Sequence, residues 1–547
     1  MPVGTRAGHL VVEALLAQGL DRYTCVPGES FLPVLDAIVD HGDRAEMIVC
    51  RHESPAAHMA EAYGKLTGRP GVCFVTRGPG ALHAAIGVHT ADQDATPLLL
   101  FVGQIARKDR GRGAFQEFNS HEVFGSMAKW VATIDEAARI PETIARAVRI
   151  ATSGRPGPVV IELPEDMLYD TVEDAVIPVV AALSTSVGAD VVQQVEAELR
   201  AAQRPLIVLG RGGWGAPQSE GIREFAEANS IPVVAAWRCQ DHIDNDSRIY
   251  IGHLSLSTEP DLVRTLEESD LILAIGGHFG DVETGGYELL APGAHRRVIH
   301  FAVDGFDLDR YVHADFAVQA DSAAAVDALA PLRVDGARWE ERTARARAAY
   351  IERSTPAPDD ELGTMIAGLS AALPADAVVT NGAGNYAVWV HRFHRYRQYG
   401  TQLAPANGAM SYGLPAGIMA AALDGTRPTI VFGGDGCFLM SSMELATVAA
   451  LGVPVVMVVV NNSSFGTIRM HQEREFPGRQ SATTLGNPDF AALARAHGIP
   501  GATVRTAEEF RREFAEAVGS GAPRLIEIVT DVARISPTRR ITEQGLV

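Results

Sequence analysis

Cysteine is scarce in this sequence and carries no pattern. Five cysteines (Cys25, Cys50, Cys73, Cys239 and Cys437) are spread over 547 residues, an odd number with no CxxC pair. That usage excludes a disulfide framework and a zinc-finger spacing, and it fits a reduced compartment. Long apolar runs are missing as well. Val453 to Val460 is wholly apolar but only eight residues long and contains Pro454, whereas a membrane span needs about twenty. Met1 to Leu20 lacks the basic start, apolar core and small-residue cleavage site of a secretion signal. The expectation is a cytoplasmic protein with no membrane partner. Basic charge is also short: 47 Lys and Arg stand against 67 Asp and Glu, a net charge of -20. A nucleic-acid partner requires a basic face, so none is expected. Any anionic ligand must be held by local devices, because the overall field repels it.

The composition that remains is that of an ordinary globular protein, 47% hydrophobic and 21% charged. The chain is too long for one core and should divide into about three domains. Short β-rich runs alternate with helical patterns, the signature of parallel sheets with crossover helices. Two weakly patterned stretches interrupt the alternation, Thr171 to Val187 and Arg333 to Glu361. They divide the chain into blocks 1–172, 188–333 and 357–535. The predicted fold class is α/β, three doubly wound domains with mostly parallel sheets.

In the first block, Met47 to Cys50 reads as a strand, with Ser54 and Pro55 opening a helix that stops at Gly68. Gly71 to Thr76 is the next strand, followed by a turn at Gly78-Pro79-Gly80. In the third block, Thr429 to Phe432 is a strand and Gly433-Gly434-Asp435-Gly436 a turn. Ser441 or Ser442 caps a helix that Gly452 ends, and Val453 to Val460 is a strand buried on both faces.

A strand–helix–strand unit with right-handed crossover brings the carboxyl ends of both strands to one edge of the sheet. Asp435 follows the first strand and Asn461-Asn462 the second, so residues 27 apart in sequence (462 minus 435) can meet in the crevice where such sheets bind ligands. A carboxylate, an amide oxygen and loop carbonyls are hard ligands suited to magnesium. Glycines flanking Asp435 let backbone amides approach a diphosphate, and a helix N-terminus adds about half a positive charge.

Gly434-Asp435-Gly436 with the span to Asn461-Asn462 resembles the thiamine diphosphate motif of the acetolactate synthase, pyruvate decarboxylase and benzoylformate decarboxylase superfamily. The likeness extends over nearly the whole chain. Arg51-His52-Glu53, Ala56 to Glu61, Val75-Thr76 and Gly78-Pro79-Gly80-Ala81 look like the pyrimidine-binding domain of acetolactate synthases. Ala114-Phe115-Gln116-Glu117 is similar to their active-site segment, and Gly408 to Ala416 to the stretch that supports the bent cofactor.

The resemblance implies a pyrimidine-binding, a central and a diphosphate-binding domain, with thiamine diphosphate and Mg2+ as cofactors. It gives Glu53 the hydrogen bond to the aminopyrimidine ring nitrogen, and Thr76, Pro79 and His83 the lining of that ring. Met410 becomes the wedge that bends the cofactor, and the carbonyl of Gly408 an acceptor for its exocyclic amine. Asp435, Asn462 and the carbonyl of Ser464 form the implied metal site. Gly384, Asn385, Tyr386, Gly436, Gly466 and Thr467 are the implied diphosphate contacts. Active sites between subunits, hence a homodimer or homotetramer, are also implied.

Departures from the family narrow the chemistry. Glu29 stands where acetolactate synthases carry glycine and pyruvate decarboxylases a catalytic aspartate, and is read as a proton donor or substrate-orienting group. Thr76-Arg77 shows no histidine pair, and Ile468 replaces the second glutamate of pyruvate decarboxylases, which disfavours that activity. Phe115 and Gln116 favour the carboligase branch, while His471 replaces a tryptophan expected near the acceptor pocket. Gly210-Arg-Gly212-Gly-Trp-Gly215 is a formal GxGxxG, but no acidic residue closes the strand that follows. The flavin-associated loop of acetolactate synthases is replaced by Gly252-His253-Leu254-Ser255, so bound FAD is not expected. The reading is a decarboxylating carboligase acting on a 2-oxo acid through a carbanion–enamine. A non-ligating 2-oxo acid decarboxylase or other C–C lyase is the alternative within the superfamily. From another class, a Rossmann-type nucleotide-dependent oxidoreductase rests on the glycine fingerprint alone.

Overall fold

The computed structural model describes residues 4–173, 175–183, 185–291, 295–542 and 545–546. Three six-stranded sheets carry the chain, and every strand pairing within them is parallel. The first contains strands from Arg22–Cys25 to Pro158–Pro164, the second from Pro205–Leu209 to Phe316–Gln319, and the third from Val378–Asn381 to Arg524–Val529. Helices flank each sheet, which is the expected α/β class with three doubly wound units. Strands such as Leu98–Gln104 and Val455–Asn461 are buried along their whole length, as central strands covered on both faces must be.

Counted within each sheet, the strand order of the first and the third is the same, 2-1-3-4-6-5. The middle sheet runs 3-2-1-4-5-6, the order common to dinucleotide-binding folds. The kinship of blocks one and three therefore lies in topology, although no repeat survives in their residues.

Local differences from the sequence reading have simple causes. The N-cap of the helix Glu53–Thr67 is His52, not Ser54, because His52 Nδ1 accepts a bond from the Ser54 amide at 3.1 Å. Gly68 ends that helix in the left-handed region, with φ of 69°. Gly78-Pro79-Gly80 is not a free turn but the first turn of the helix Gly78–Asp94, where proline loses no needed hydrogen bond. The strand Thr429–Gly434 runs two residues further than expected and passes directly into the helix Asp435–Leu439. Neither serine makes a side-chain cap; Ser442–Glu444 forms a 3-10 turn that leads into the helix Leu445–Leu451. The next strand begins at Val455, after Pro454, which has no amide to give a ladder.

The first and third units share one hydrophobic core, in which helix Glu53–Thr67 packs on helix Gly413–Leu423. Polar bonds stitch the same seam. Lys65 pairs with Asp94 at 2.6 Å and donates to the Ala404 carbonyl at 3.0 Å, and the Tyr412 hydroxyl donates to Glu61 at 2.5 Å.

Burial pushes the Glu61 carboxyl up from its ordinary 4.5 to about 7; Lys65 opposes the shift, Asp94 adds to it, and the Tyr412 bond lowers it. Its native form holds a proton more tightly than its unfolded form, so its contribution is complete below about pH 4.5 and lost as pH rises through about 7. The unfolding midpoint of the wild type is expected to fall, relative to that of Glu61→Gln, between about pH 5 and pH 7.5. Parallel pH curves for the two proteins would remove Glu61 as the source.

Candidate functional site

Two clusters of the expected residues form, on two different sheets. On the first sheet, Glu29, Glu53, Thr76 and Gln116 each follow the carboxyl end of a parallel strand. Glu53 is the first residue of its helix, where the dipole favours an acid. Its side chain is 13% exposed, and its Oε2 meets His83 Nδ1 at 2.8 Å. The His83 ring lies over that of His52, with centroids 4.4 Å apart. Gly80 keeps this corner open: a Cβ there would stand 3.0 Å from Thr76 Cγ2 and 3.4 Å from Glu53 Oε1. Pro79 sits between Gly80 and Gly78 in the same helical turn.

Gln116 has a left-handed backbone, with φ of 61°. Glu117 holds its loop by accepting from the amides of Gly111 and Ala114, and the Gln116 carbonyl accepts from the Gly78 amide at 3.4 Å. The loop is thereby tied to the helix that carries Pro79 and His83. Glu29 is exposed and ion-paired with Arg77, whose buried guanidinium also reaches Glu165 at 3.4 Å. Sequence reasoning took Arg77 only as the absence of a histidine; in the fold it is the clamp on Glu29.

On the third sheet, Gly434 is the register partner of Val460, so Asp435 and Asn462 leave the sheet at the same edge. Asp435 is 3% exposed. Its carboxylate accepts from the amides of Gly436 at 2.8 Å and Ser464 at 3.2 Å, and from Asn487 Nδ2 at 2.8 Å. Asn462 Oδ1 accepts from the same Ser464 amide at 3.1 Å. Gly436 must be glycine, since a Cβ would lie 2.6 Å from the Phe465 ring. Thr467 donates to Asn385 Oδ1 at 2.9 Å, and the Tyr386 ring packs on Gly434.

These groups open on a cavity of about 890 Å³. Gly384, Asn385, Tyr386, Gly408, Met410, Asp435, Gly436, Asn462, Ser464, Gly466, Thr467 and His471 all line it. Glu29, Glu53, Thr76, Pro79, His83 and Gln116 do not. Within one chain, the two clusters are therefore separate surfaces.

The donor set of the second cluster fits a divalent cation. Every hydrogen bond the Asp435 carboxylate receives comes from a neutral N–H, and among the described residues no lysine or arginine pairs with it. Burial pushes this carboxyl up, opposed by those same bonds. A hard cation among the oxygens of Asp435, Asn462 and the Ser464 carbonyl can supply the missing charge.

Two residues of this region were missed in the sequence. Asn487 bridges Asp435 and Asn461 Oδ1, at 2.8 and 2.9 Å, from a loop whose only local signal is a turn at Gly486-Asn487-Pro488. Glu444, fully buried in the third unit, accepts from the amides of Arg51 at 2.8 Å and His52 at 3.2 Å. It thus fixes the backbone just before Glu53.

Three α/β units, with acids at one sheet edge and a glycine-and-oxygen cradle at another, fit the class of thiamine-dependent enzymes that the sequence resembles. Comparison with known proteins agrees. Residues 5–123 match the N-terminal thiamine pyrophosphate binding domain of thiamine pyrophosphate enzymes, 192–329 their central domain and 382–528 their C-terminal thiamine pyrophosphate binding domain. The chain is 31% identical to the acetolactate synthase large subunit of Parasynechococcus marenigrum, over 95% of this chain and 86% of that one. It is 31% identical to the acetolactate synthase isozyme 2 large subunit of Escherichia coli, over 95% of each. A probable acetolactate synthase large subunit of Methanocaldococcus jannaschii is 30% identical, over 97% of this chain and 93% of that one. The chain belongs to the acetolactate synthase-like family of thiamine pyrophosphate enzymes, and it is an enzyme that depends on that cofactor. Among the described residues, no helix is long and apolar enough to cross a membrane.

Proposed function

We propose that this enzyme decarboxylates a 2-oxo acid and transfers the acyl unit to a second carbonyl compound, with thiamine diphosphate and Mg2+, in a homo-oligomer whose active sites lie between subunits. The observation that carries the reading is the buried Asp435 carboxylate, which has no cationic partner among the described residues, beside Asn462 and Ser464 in the large cavity. Likeness to acetolactate synthases over 95% of the chain supports the choice of substrate class.

When bound, thiamine diphosphate supplies the electron sink for the bond to the departing carboxyl group. Asp435, Asn462 and the Ser464 carbonyl would hold Mg2+, and the amides around Gly436, Gly466 and Thr467 would receive the diphosphate. Met410 presents an apolar wall in the cavity, with the Gly408 carbonyl beside it. Glu53 would share a proton with the pyrimidine half of the cofactor, its carboxylate oriented by the contact with His83 Nδ1. Gln116, tethered through Gly78, and Glu29, clamped by Arg77, face the substrate from the pyrimidine side. His471 faces it across the cavity.

A site between subunits is supported by the separation of the two clusters, since Glu53 does not line the Asp435 cavity of its own chain. The reading does without FAD. A cytoplasmic setting is supported by five free cysteines, all buried.

A donor–acceptor screen on the cofactor-loaded enzyme tests the proposal. Carbon dioxide release that requires both thiamine diphosphate and Mg2+, with a coupled hydroxy-ketone product, is expected. Carbon dioxide with only an aldehyde would mark a non-ligating decarboxylase, and no turnover of any 2-oxo acid would end the reading.

A further inference from the structure

Among the described residues, one arginine on the cavity wall has neither a carboxylate partner nor a hydrogen bond to its Nε or Nη1. Arg238 follows the strand Val233–Ala235 at the carboxyl edge of the middle sheet, and it lines the same cavity as Asp435. It is 7% exposed, and its Nε and Nη1 are buried with no hydrogen-bond partner. The other buried or half-buried arginines of this wall are matched: Arg353 with Asp261, Arg392 with Glu259, Arg534 with Asp359. Asp94, whose charge is felt at Arg238, is already bonded to Lys65 at 2.6 Å and to the Ala406 amide at 2.6 Å.

The position is also held deliberately. Arg238 has φ of 61°, a left-handed conformation that side chains rarely adopt. Its guanidinium carbon lies 4.1 Å from the centre of the Trp237 ring. The Trp237 indole in turn donates to the Ala406 carbonyl at 3.0 Å, two residues before Gly408. Arg238 is thus tied to the segment that carries Gly408 and Met410. Beside it on the wall, burial lowers His253 to about 3 and lowers His391 as well, and His391 Nε2 is another buried atom without a hydrogen-bond partner among the described residues. Burial also lowers the guanidinium of Arg238, to about 10, so it stays charged at neutral pH. A buried, unmatched cation destabilises a fold, and a ligand anion is what such a group is positioned to receive.

We propose that Arg238 receives a carboxylate that the reaction retains. This rests on the 2-oxo acid reading above. The carboxylate lost as carbon dioxide sheds its charge on the way to the transition state. An ion pair to it would stabilise the ground state more and slow the reaction. A carboxylate that persists gains from the pair at every stage. Two sources offer one: the distal carboxylate of a 2-oxo dicarboxylate donor, or the carboxylate of a 2-oxo acid acceptor.

The full-length protein and its Arg238→Met and Arg238→Lys variants decide this by two readouts. The first is thermal unfolding in sodium glutarate, sodium propionate and sodium chloride at matched ionic strength. Carboxylate is expected to raise the wild-type midpoint above that in chloride, and the increment should vanish in Arg238→Met. That variant should itself melt no lower than the wild type, since it loses an unpaired buried charge. Equal increments in both proteins, or a collapse of both variants, would overturn the proposal.

The second readout is turnover by the loaded enzyme. In the donor arm, kcat/KM for 2-oxoglutarate is compared with that for 2-oxobutyrate. In the acceptor arm, 2-oxobutyrate is compared with propanal. Arg238→Met should cost about 100-fold on the carboxylate-bearing member of one arm and little on its counterpart. The arm affected names the source. An equal loss on every substrate, or a matching loss of thiamine diphosphate affinity, would overturn the assignment. Absence of any turnover in the wild type would defeat the functional reading alone, and the carboxylate-dependent midpoint would still settle Arg238.

Discussion

Glu53→Gln is expected to retain thiamine diphosphate and lose turnover by about 10²–10⁴-fold, the range that a positioned proton-transfer group supplies. The amide keeps the size and the oxygen that His83 meets at 2.8 Å, so the helix start and its stacked histidines stay in place. What it loses is the capacity to exchange a proton with the pyrimidine ring. Cofactor affinity should change little, because the proposed diphosphate and metal contacts are on the other cluster, around Asp435. Equilibrium titration of the cofactor, followed by steady-state assay at saturation, separates the two effects. Near-normal turnover would take Glu53 out of the chemistry, and a parallel loss of affinity would make it a binding group. Exchange of the reactive hydrogen of bound cofactor into deuterated water gives the same answer without any substrate, since slow exchange in the variant locates the loss at the first proton transfer.

How far the sequence could carry these conclusions depended on the distance over which each signal acts. Parallel α/β architecture was legible because the central strands, buried on both faces, leave apolar runs, as in the first six residues of Val455–Asn461. The pairing of Asp435 with Asn462 was legible because a single crossover unit fixes both ends of the span. Helix starts were less so. Whether Ser54 or His52 caps a helix turns on one side-chain rotamer, and whether Gly78 opens a turn or a helix depends on what packs against it. Contacts made across hundreds of residues left almost no trace. Glu444 looks like any acid near a helix, yet it is 393 residues from the Arg51 amide it receives. Asn487 reaches Asp435 from 52 residues away, and Arg238 lacks a carboxylate partner because the nearby Asp94 is bonded to Lys65 and the Ala406 amide. An unpaired charge is a property of the folded surroundings, and no local pattern announces it.

Mixing two dead proteins is expected to restore activity. Asp435→Ala removes the anion of the proposed metal site and should weaken Mg2+-dependent cofactor binding by about 100-fold or more. Alone it is inactive, as Glu53→Gln is nearly so. In a mixed dimer built from one subunit of each kind, one composite site carries both lesions. The other combines an intact Glu53 with an intact Asp435. With random exchange, half of the dimers are mixed and half of their sites are whole, so about a quarter of wild-type activity should return. Sites completed within a single chain return none, because every chain in the mixture then carries one lesion. Co-expression of differently tagged subunits, with purification through both tags in sequence, isolates the mixed species and should raise recovery to about half. The cavity geometry favours this outcome: Glu53 and its neighbours do not line the space around Asp435 in their own chain. Exposed apolar side chains on the helix Gly78–Asp94, Leu82 and Ile86, flank His83 on the surface that a second subunit would cover. Failure of the purified mixed dimer to regain activity, with both parents able to associate, would place the whole site in one chain and require the first sheet's cluster to move toward the third.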